Sequence, residues 1–460
     1  MGDIDAIFKA YDVRGLAPEQ LDEALSRNIG AAFGKFMVET EGADTIVVGH
    51  DMRPTGPDFA AAFSHGAMTQ GVDVVDIGLI STDMLYFASG SMDVPGAVFT
   101  ASHNPAEYNG IKMCGKGAAP LGSDTGLVDV KEMARTLLPS AHTTGAHSAR
   151  SVLGDFVQHV LSFIDVDALA PLKIVADTAN GMGGLVVPAV FKHLPFELEV
   201  MYEELDGTFP NHPADPLNEE NLVDLKSRVL EVGADIGLAF DGDADRVFLV
   251  DAAAEGVSGS LTTALVAERV LEREPGATIL YNLICSKVVP ELIAEKGGIA
   301  VRTRVGHSFI KAQMKETGAA FGGEHSGHYY FRENYRADSG LITAVVVLAS
   351  MCAAGKPLHE LVEPLRRYRA SGEINTSVDD SSAVIERVAN AYADASQDRF
   401  DGLTVDVGDW WFNIRASNTE PLLRLNLEAR TTSEVDRRVA EVRNIMLGTP
   451  DRAPQSGHGR

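Results

Sequence analysis

The sequence predicts an α/β protein built from several domains and closed by a smaller α+β domain. Three observations carry this. The chain has 460 residues, more than one hydrophobic core accommodates. Buried-strand runs that end in polar loops and alternate with helical periodicity recur along its first two-thirds. After about residue 368 the apolar pattern switches to period two.

In chain order, Leu21, Leu25, Ile29, Ala32 and Phe36 recur at helical spacing. Thr45-Ile46-Val47-Val48-Gly49 then reads as a buried strand ending at His50-Asp51-Met52-Arg53. The same grammar returns at Lys173-Ile174-Val175-Ala176-Asp177, followed by the glycine-rich Asn180-Gly181-Met182-Gly183-Gly184. It returns again at Ala277-Thr278-Ile279-Leu280-Tyr281-Asn282. These repeats predict three α/β domains of similar plan, each with a largely parallel core and with sites at the carboxyl ends of its strands. Near the end, Leu403, Val405 and Val407 alternate, as do Trp410, Phe412 and Ile414, then Leu423, Leu425 and Leu427, which predicts antiparallel strands with one wet face. A last helix carries Val435, Val439, Val442 and Met446 as its apolar stripe, with Ser433 and Asp436 as a capping-box variant. The expected division is 1–145, 146–252, 253–368 and 369–448, and the Pro-, Gly-, Ser- and Arg-rich segment 449–460 is expected to be a disordered tail.

Composition excludes several functions. Lys plus Arg number 39 against 65 Asp plus Glu, a net charge of −26, and such a field opposes nucleic acid and anionic membranes. An anionic substrate must therefore be met by a local cationic pocket. The three cysteines, Cys114, Cys285 and Cys352, are far apart, which disfavours a disulfide framework or Cys-rich zinc site and suits a reducing compartment. The acidic start, Met1-Gly2-Asp3-Ile4-Asp5, lacks the pattern of a signal peptide, and apolar stretches such as 340–351 fall short of the roughly 20 residues that span a bilayer. A soluble, cytoplasmic protein is expected.

Four loops carry the chemistry. Asp241-Gly242-Asp243-Ala244-Asp245-Arg246 follows the apolar run 236–240. Alternate positions of a short loop can converge three carboxylates on one hard cation such as Mg²⁺. The EF-hand reading fails, since Arg246 stands where its glycine belongs and Ala252 where its bidentate Glu belongs. A solvated acidic turn is the plain alternative, but the adjacent Arg246 suits a site that also receives phosphate. Thr100-Ala101-Ser102-His103-Asn104-Pro105 follows Ala97-Val98-Phe99 and presents a serine at a strand end. Taken alone, such a Ser-His pair is more often a turn, and no G-x-S-x-G elbow surrounds Ser102. Gly323-Glu324-His325-Ser326-Gly327-His328 offers Glu324 and Ser326 to sugar hydroxyls. Arg415-Ala416-Ser417-Asn418-Thr419-Glu420-Pro421 groups a guanidinium, two hydroxyls and an amide as a phosphate cradle, though each of these two loops is also compatible with ordinary turn chemistry. Two glycine patterns are declined: the near P-loop at 110–117 has Gly117 in place of its Ser or Thr, and 181–186 lacks the last glycine of a dinucleotide fingerprint. The second more simply sets a helix start and a tight interdomain approach.

In this order and spacing, with Phe8-Lys9-Ala10-Tyr11-Asp12-Val13-Arg14-Gly15 at the front, the motifs resemble the α-D-phosphohexomutase family, in its bacterial phosphomannomutase/phosphoglucomutase branch, over about residues 8 to 430. The resemblance implies four domains around a central cleft and reversible conversion of hexose 6-phosphate and hexose 1-phosphate (mannose and glucose) through a hexose 1,6-bisphosphate. It implies that Ser102 is phosphorylated and holds Mg²⁺ together with Asp241, Asp243 and Asp245. Lys112, Arg246, His103 and His328 become the catalytic set. Substrate contacts fall to Tyr11, Arg14, His307, Glu324, Ser326 and His328, with Arg415, Ser417, Asn418 and Thr419 on the distal phosphate. The expected partner is a small phosphosugar, and the expected state a monomer or weak homodimer. Two departures stand out: His325 replaces the usual Met between Glu324 and Ser326, and the family's Lys before Cys285 is absent, leaving Lys287 nearby without an assigned role. The phosphate loop of phosphoglucosamine mutases typically reads Arg-Pro-Ser-Gly-Thr-Glu-Pro, so Ala416 and Asn418 favour the phosphomannomutase side. A non-catalytic sugar-phosphate sensor and a Mg²⁺-dependent phosphatase are the readings from other classes.

Overall fold

The computed structural model describes residues 4–136, 138–416 and 422–448, together with the backbone but not the side chain of His307. Ser417, Asn418, Thr419 and the segment 449–460 lie outside the described residues.

Four sheets follow one another along the chain. The first contains β1 (Val13–Leu16), β2 (Thr45–His50), β3 (Asp73–Leu79), β4 (Gly96–Phe99), β5 (Tyr108–Gly115), β6 (Ala119–Pro120) and β7 (His147–Ala149) in the order β1-β5-β4-β2-β3-β7, with β6 beside β5. Its centre is parallel, β2 pairing with β3 and β4, while β5 runs antiparallel to both β1 and β4. The second sheet has β8 (Lys173–Asp177), β9 (Glu197–Met201), β10 (Ile236–Phe240), β11 (Val247–Asp251) and β12 (Gly256–Val257), ordered β12-β11-β10-β8-β9. In the third, β13 (Thr278–Asn282), β14 (Ile299–Thr303), β15 (Phe321–Gly323) and β16 (Tyr329–Phe331) run in the order β14-β13-β15-β16. All three keep a parallel core with an antiparallel margin. The fourth sheet is wholly antiparallel: β17 (Arg369–Ser377), β21 (Leu422–Ala429), β20 (Trp411–Ala416), β19 (Leu403–Asp406) and β18 (Ser396–Asp398).

The strands form where the apolar runs sit. Ile236–Phe240 and Val247–Asp251 are buried at every position, as strands covered on both faces must be. The helix Glu23–Glu41 buries Leu25, Ile29 and Ala32; it is capped by the Asp22 carboxylate on the Leu25 N–H and ended by Gly42 in the left-handed region. One continuous core joins the first three domains, from Val47, Met84 and Phe87 through Phe156, Ile174 and Phe240 to Phe321 and Leu341. The last domain keeps its own core, around Val388, Leu403, Phe412, Leu425 and Val442. Among the described residues no single helix is long and apolar enough to cross a membrane; Gly340–Ala354, the apolar helix of the third domain, is largely buried inside that shared core.

Three local expectations are corrected. The last helix, Thr432–Leu447, is capped by Thr431, whose side chain accepts from the Glu434 N–H, so the cap lies two residues before Ser433. The second face of the last sheet is wet along its β17 edge, where Glu373 and Asn375 are exposed, but not at its centre. Trp411, Asn413 and Glu428 on it are buried, because this polar face packs against the third domain. The glycine-rich turn at 181–184 does open a helix, Gly183–Phe191, but Gly181 packs on Gly242 within the same domain and makes no interdomain approach.

Candidate active site

Each chemistry-bearing loop leaves the carboxyl end of a strand. β4 ends at Phe99, and the loop that follows turns at Ser102, which takes a left-handed φ of 48°. The Ser102 N–H donates to Thr100 Oγ1 at 3.0 Å. Its hydroxyl donates to Asp241 Oδ2 at 2.9 Å and lies 3.3 Å from His103 Nδ1. Asp241 begins the turn between β10 and β11, where Ala244 at φ 62° bends the chain so that Asp241, Asp243 and Asp245 face one another with oxygens within 4.8 Å. The three carboxylates are 0–1 % exposed.

Such charge density needs counter-charge. Lys112, on β5, places its ammonium 2.6 Å from both Asp243 and Asp245. Arg246 donates from Nε to Asp241 Oδ2 at 2.8 Å, and its own N–H donates to Asp241 Oδ1 at 3.1 Å. Thr82, at the start of the helix Thr82–Met92, donates its hydroxyl to Asp243 Oδ2 at 2.5 Å and its N–H to the Asp243 carbonyl at 3.1 Å. Burial pushes the Asp241 carboxyl well above its usual range, against the pull of Arg246. Burial also acts on Asp243, but Lys112 overrides it and holds that carboxyl below its usual range. Conversely, burial favours loss of the Lys112 proton, and Asp243 and Asp245 win, raising it well above the ordinary lysine value. His103 is driven well below the usual imidazole value by the Arg246 charge first and burial second, which keeps its ring neutral.

Two carboxylate oxygens of this cluster, Asp243 Oδ1 and Asp245 Oδ1, are buried without a hydrogen-bond partner. Orphaned carboxylate oxygens are costly, and an all-oxygen triad is the donor set a hard divalent cation prefers. The residues therefore fit a metal ion.

Above the triad lies a cavity of about 410 Å³ lined by Tyr11, Arg14, Ser102, His103, Lys112, Asp245, His328 and Arg415. Arg14, on β1, donates to Asn104 Oδ1 and Asp12 Oδ2, both at 2.5 Å. His328 Nε2 stands 3.7 Å from Asp245 Oδ1, and its Nδ1 lies 3.0 Å from Ser326 Oγ. Arg246 and His328 also share a backbone bridge that ties the second domain to the third. Glu324 and Ser326 sit beside His328, with Glu324 Oε2 3.7 Å from His328 Nδ1. Glu324 is held by Tyr330 OH at 2.7 Å, Asn282 Nδ2 at 3.2 Å and the Gly306 N–H at 3.1 Å. Arg415 lies opposite Arg424 across β20 and β21, and both guanidiniums reach Glu373 at 3.5 Å. His307 opens the helix His307–Thr317, and its side chain lies outside the described residues, as do Ser417, Asn418 and Thr419.

Sequence reasoning missed Thr82, Arg424 and Arg53. Arg424 occupies a polar position of the alternating Leu423, Leu425, Leu427 pattern, a signal that could have found it. Arg53 closes the segment after β2, at the strand end where sites are expected. Lys287 does not face the cavity; its ammonium binds Asp406 Oδ1 at 2.7 Å and the Gly408 carbonyl at 2.9 Å in the last domain.

Fold and site together define a four-domain α/β protein whose domains meet at one cationic, carboxylate-floored cleft suited to a phosphorylated small molecule. The four models of the phosphoglucomutase/phosphomannomutase family match in order: α/β/α domain I over 5–132, domain II over 154–256, domain III over 258–368 and the C-terminal domain over 373–445. A phosphohexose mutase of Xanthomonas campestris is 39% identical over 447 residues, covering 96% of this chain and 99% of its own. The phosphomannomutase of Escherichia coli K12 is 40% identical over 435 residues, covering 92% and 94%. A crystal structure of a phosphoglucomutase/phosphomannomutase family protein from Burkholderia thailandensis superposes with a TM-score of 0.89 at 33% identity, covering 99% of both chains. The chain belongs to the phosphoglucomutase/phosphomannomutase family, and its enzyme class is that of the phosphohexomutases.

Proposed function

We propose that this protein is a Mg²⁺-dependent phosphomannomutase/phosphoglucomutase acting through a phosphoryl group on Ser102. The observation that carries the proposal is the 2.9 Å contact between Ser102 Oγ and the buried Asp241, at the floor of a cavity ringed by Lys112, Arg14, His328 and Arg415. Asp241, Asp243 and Asp245, with the phosphate of Ser102, are the groups that would hold Mg²⁺, which when bound neutralises charge on the transferring phosphoryl group.

The phosphoryl group leaves Ser102 Oγ for a hydroxyl of a hexose monophosphate, giving a hexose 1,6-bisphosphate and free Ser102. After the bisphosphate turns over, Ser102 takes the other phosphate and releases the isomeric monophosphate, so that enzyme and phosphate are conserved. Phosphoryl transfer through a loose transition state needs positioning and charge neutralisation. Lys112 and Arg246 supply fixed positive charge beside Ser102, and Arg14 and Arg415 supply it on the cavity wall. As Ser102 Oγ leaves and takes up a proton, the attacking sugar hydroxyl must lose one. His103, held neutral next to Ser102 Oγ, and His328, across the cavity, are the two imidazoles placed to receive it. Glu324 and Ser326 take the sugar hydroxyls, and Arg415 with Ser417, Asn418 and Thr419 takes the non-reacting phosphate. Tyr11 and His307 are the remaining substrate contacts. The three cysteines are free, which supports a reducing, cytoplasmic setting; the proposed state is a monomer or weak homodimer.

The test is conversion of mannose 1-phosphate, glucose 1-phosphate and glucosamine 1-phosphate by wild type and Ser102→Ala, with Mg²⁺ and a trace of hexose 1,6-bisphosphate, while inorganic phosphate is monitored. Isomerisation of the first two, lost in Ser102→Ala, is expected, and Arg415→Ala should mainly raise KM. Preference for the glucosamine substrate would reassign the sugar. Steady phosphate release would make the protein a phosphatase, and no turnover at all a sensor.

A further inference from the structure

Arg53 is among the largest side chains in the protein that are fully buried, at 1 % exposure. Burying a guanidinium is costly unless its donors are used, and here both terminal nitrogens are fully engaged. Nη1 donates to the carbonyls of Pro105 and Tyr108, each at 2.8 Å. Nη2 donates to the carbonyls of Ser102 at 3.0 Å and Asn104 at 2.7 Å. All four acceptors are backbone carbonyls of the segment 102–108, the loop that presents Ser102 and the first residue of β5. Asp51, equally buried, orients the arginine by accepting its N–H at 2.9 Å and standing 3.4 Å from Nε.

The other side of Arg53 is covered by the second domain. The guanidinium lies 5.2 Å from the centre of the Phe209 ring. Gly207 approaches so closely that a Cβ there would fall 2.6 Å from Arg53 Cα. The Ser102 carbonyl that Arg53 holds is also the atom on which Gly242 of the aspartate turn rests; a Cβ on Gly242 would sit 2.4 Å from it. One side chain thus fixes three things together: the serine loop, the 207–209 segment, and, through the Ser102 carbonyl, the turn bearing Asp241. A planar fork with four terminal N–H groups can span four carbonyls; a lysine, with three donors on one atom, cannot.

We infer that Arg53 is a positioning residue that sets the left-handed conformation of Ser102 and its distance to the aspartate turn, and so governs phosphoryl transfer without touching substrate. This rests on the function proposed above. Misplacing a reacting group by about 1 Å costs on the order of 100-fold in rate, and recognition of the sugar phosphate lies on other loops. The loss should therefore appear in kcat and leave KM in place.

The experiment compares full-length wild type, Arg53→Lys and Phe209→Leu by steady-state kinetics and by amide hydrogen exchange over residues 101–108. Arg53→Lys should lower kcat by about 100-fold with KM within about threefold, and exchange should rise in 101–108 while β2 and β4 stay protected. Phe209→Leu, which keeps apolar volume but removes the ring face, should lower kcat about two- to fivefold. A kcat in Arg53→Lys within threefold of wild type, a change confined to KM, or unaltered exchange in 101–108 would overturn the inference. If Arg53→Lys does not fold, Phe209→Leu decides: reduced kcat at constant KM supports it, and wild-type kinetics sink it. An inactive wild type would count against the proposed function, and the exchange comparison would still judge Arg53.

Discussion

Tyr330→Phe isolates one hydrogen bond to Glu324, the proposed sugar contact. Tyr330 lies in β16 at 0 % exposure and donates its hydroxyl to Glu324 Oε2 at 2.7 Å. Burial first, and the Glu324 charge second, raise the phenol well above its usual value, so it remains a donor throughout the working pH range. Phenylalanine fills the same space without the oxygen, and the fold should persist. A hydrogen bond to a charged acceptor contributes about 1.5–3 kcal/mol. Glu324 would keep only the contacts to its other oxygen, from Asn282 at 3.2 Å and Gly306 at 3.1 Å, while Oε2 would face His328 Nδ1 at 3.7 Å. The stated energy corresponds to about 10- to 150-fold in the population of the productive Glu324 rotamer. The expectation is a rise of about tenfold in KM with kcat within threefold, because Ser102 and the aspartates are untouched. Steady-state kinetics of Tyr330→Phe, Glu324→Gln and the double variant measure it. Should Glu324→Gln raise KM while Tyr330→Phe leaves it within twofold, or the two effects add to within about 0.5 kcal/mol, Tyr330 does not orient Glu324.

Three further expectations follow from charge and burial. His212 donates from Nε2 to Asp177 Oδ2 at 3.1 Å and from Nδ1 to the Pro213 carbonyl at 2.9 Å; burial lowers its pKa, but Asp177 prevails and raises it. A raised histidine adds stability that is complete below its unfolded value of about 6.5 and lost as pH rises through the folded one, so His212→Gln should flatten the urea midpoint across that window, and an unchanged pH slope would refute the pairing. Glu428 accepts from Ser286 Oγ, the Lys287 N–H at 3.1 Å and Trp411 Nε1 at 2.8 Å. Glu428→Ala strands two buried N–H donors at about 1–3 kcal/mol each, and since the chain's two tryptophans are Trp410 and Trp411, fluorescence should show the last domain unfolding at lower urea than the rest; one transition at the wild-type midpoint would contradict this. Finally, Mg²⁺ at about 100 times its Kd should raise unfolding free energy by about 2.7 kcal/mol; the gain should vanish in Asp243→Asn, and a gain that survives would place the metal elsewhere.

The sequence was informative where chemistry is local. The aspartate turn, the serine loop and Lys112 each follow a buried strand or sit on one, and period-two or all-apolar patterning reports that directly. What stayed hidden depends on side chains meeting across long separations. Arg53 reads as one more charge in a loop until its four carbonyl partners, 49 to 55 residues away, are in place. Thr82 meets Asp243 across 161 residues. The cap of the last helix is ambiguous in the sequence because Thr431 and Ser433 are both competent caps and only backbone geometry distinguishes them. The covered polar face of the last sheet was invisible for another reason. Periodicity detects apolar burial, and that face is buried by polar partners, Glu428 against the helix start at Lys287 and Lys287 against Asp406.

That polar seam explains how the chemistry is divided among domains. The first three domains share one apolar core, so Ser102, Lys112, the aspartates and His328 ride on a single body whose parts cannot separate without exposing it to water. The last domain has its own core, and the contacts named across its boundary are charged or polar, Lys287 to Asp406, the Val305 N–H to Asp401, and Arg302 to Asp398. The last domain therefore stays outside the shared apolar core, and opening its boundary breaks these contacts together with the buried seam from Glu428 to Ser286 and Lys287. The groups that must keep sub-ångström register sit on the rigid body. Arg415 and Arg424, which on the proposed mechanism hold the non-reacting phosphate, sit on the last domain. On the proposed mechanism, in which the intermediate turns end for end between two half-reactions, that distribution lets the distal phosphate be released and recaptured while Ser102 and Asp241 stay where they are.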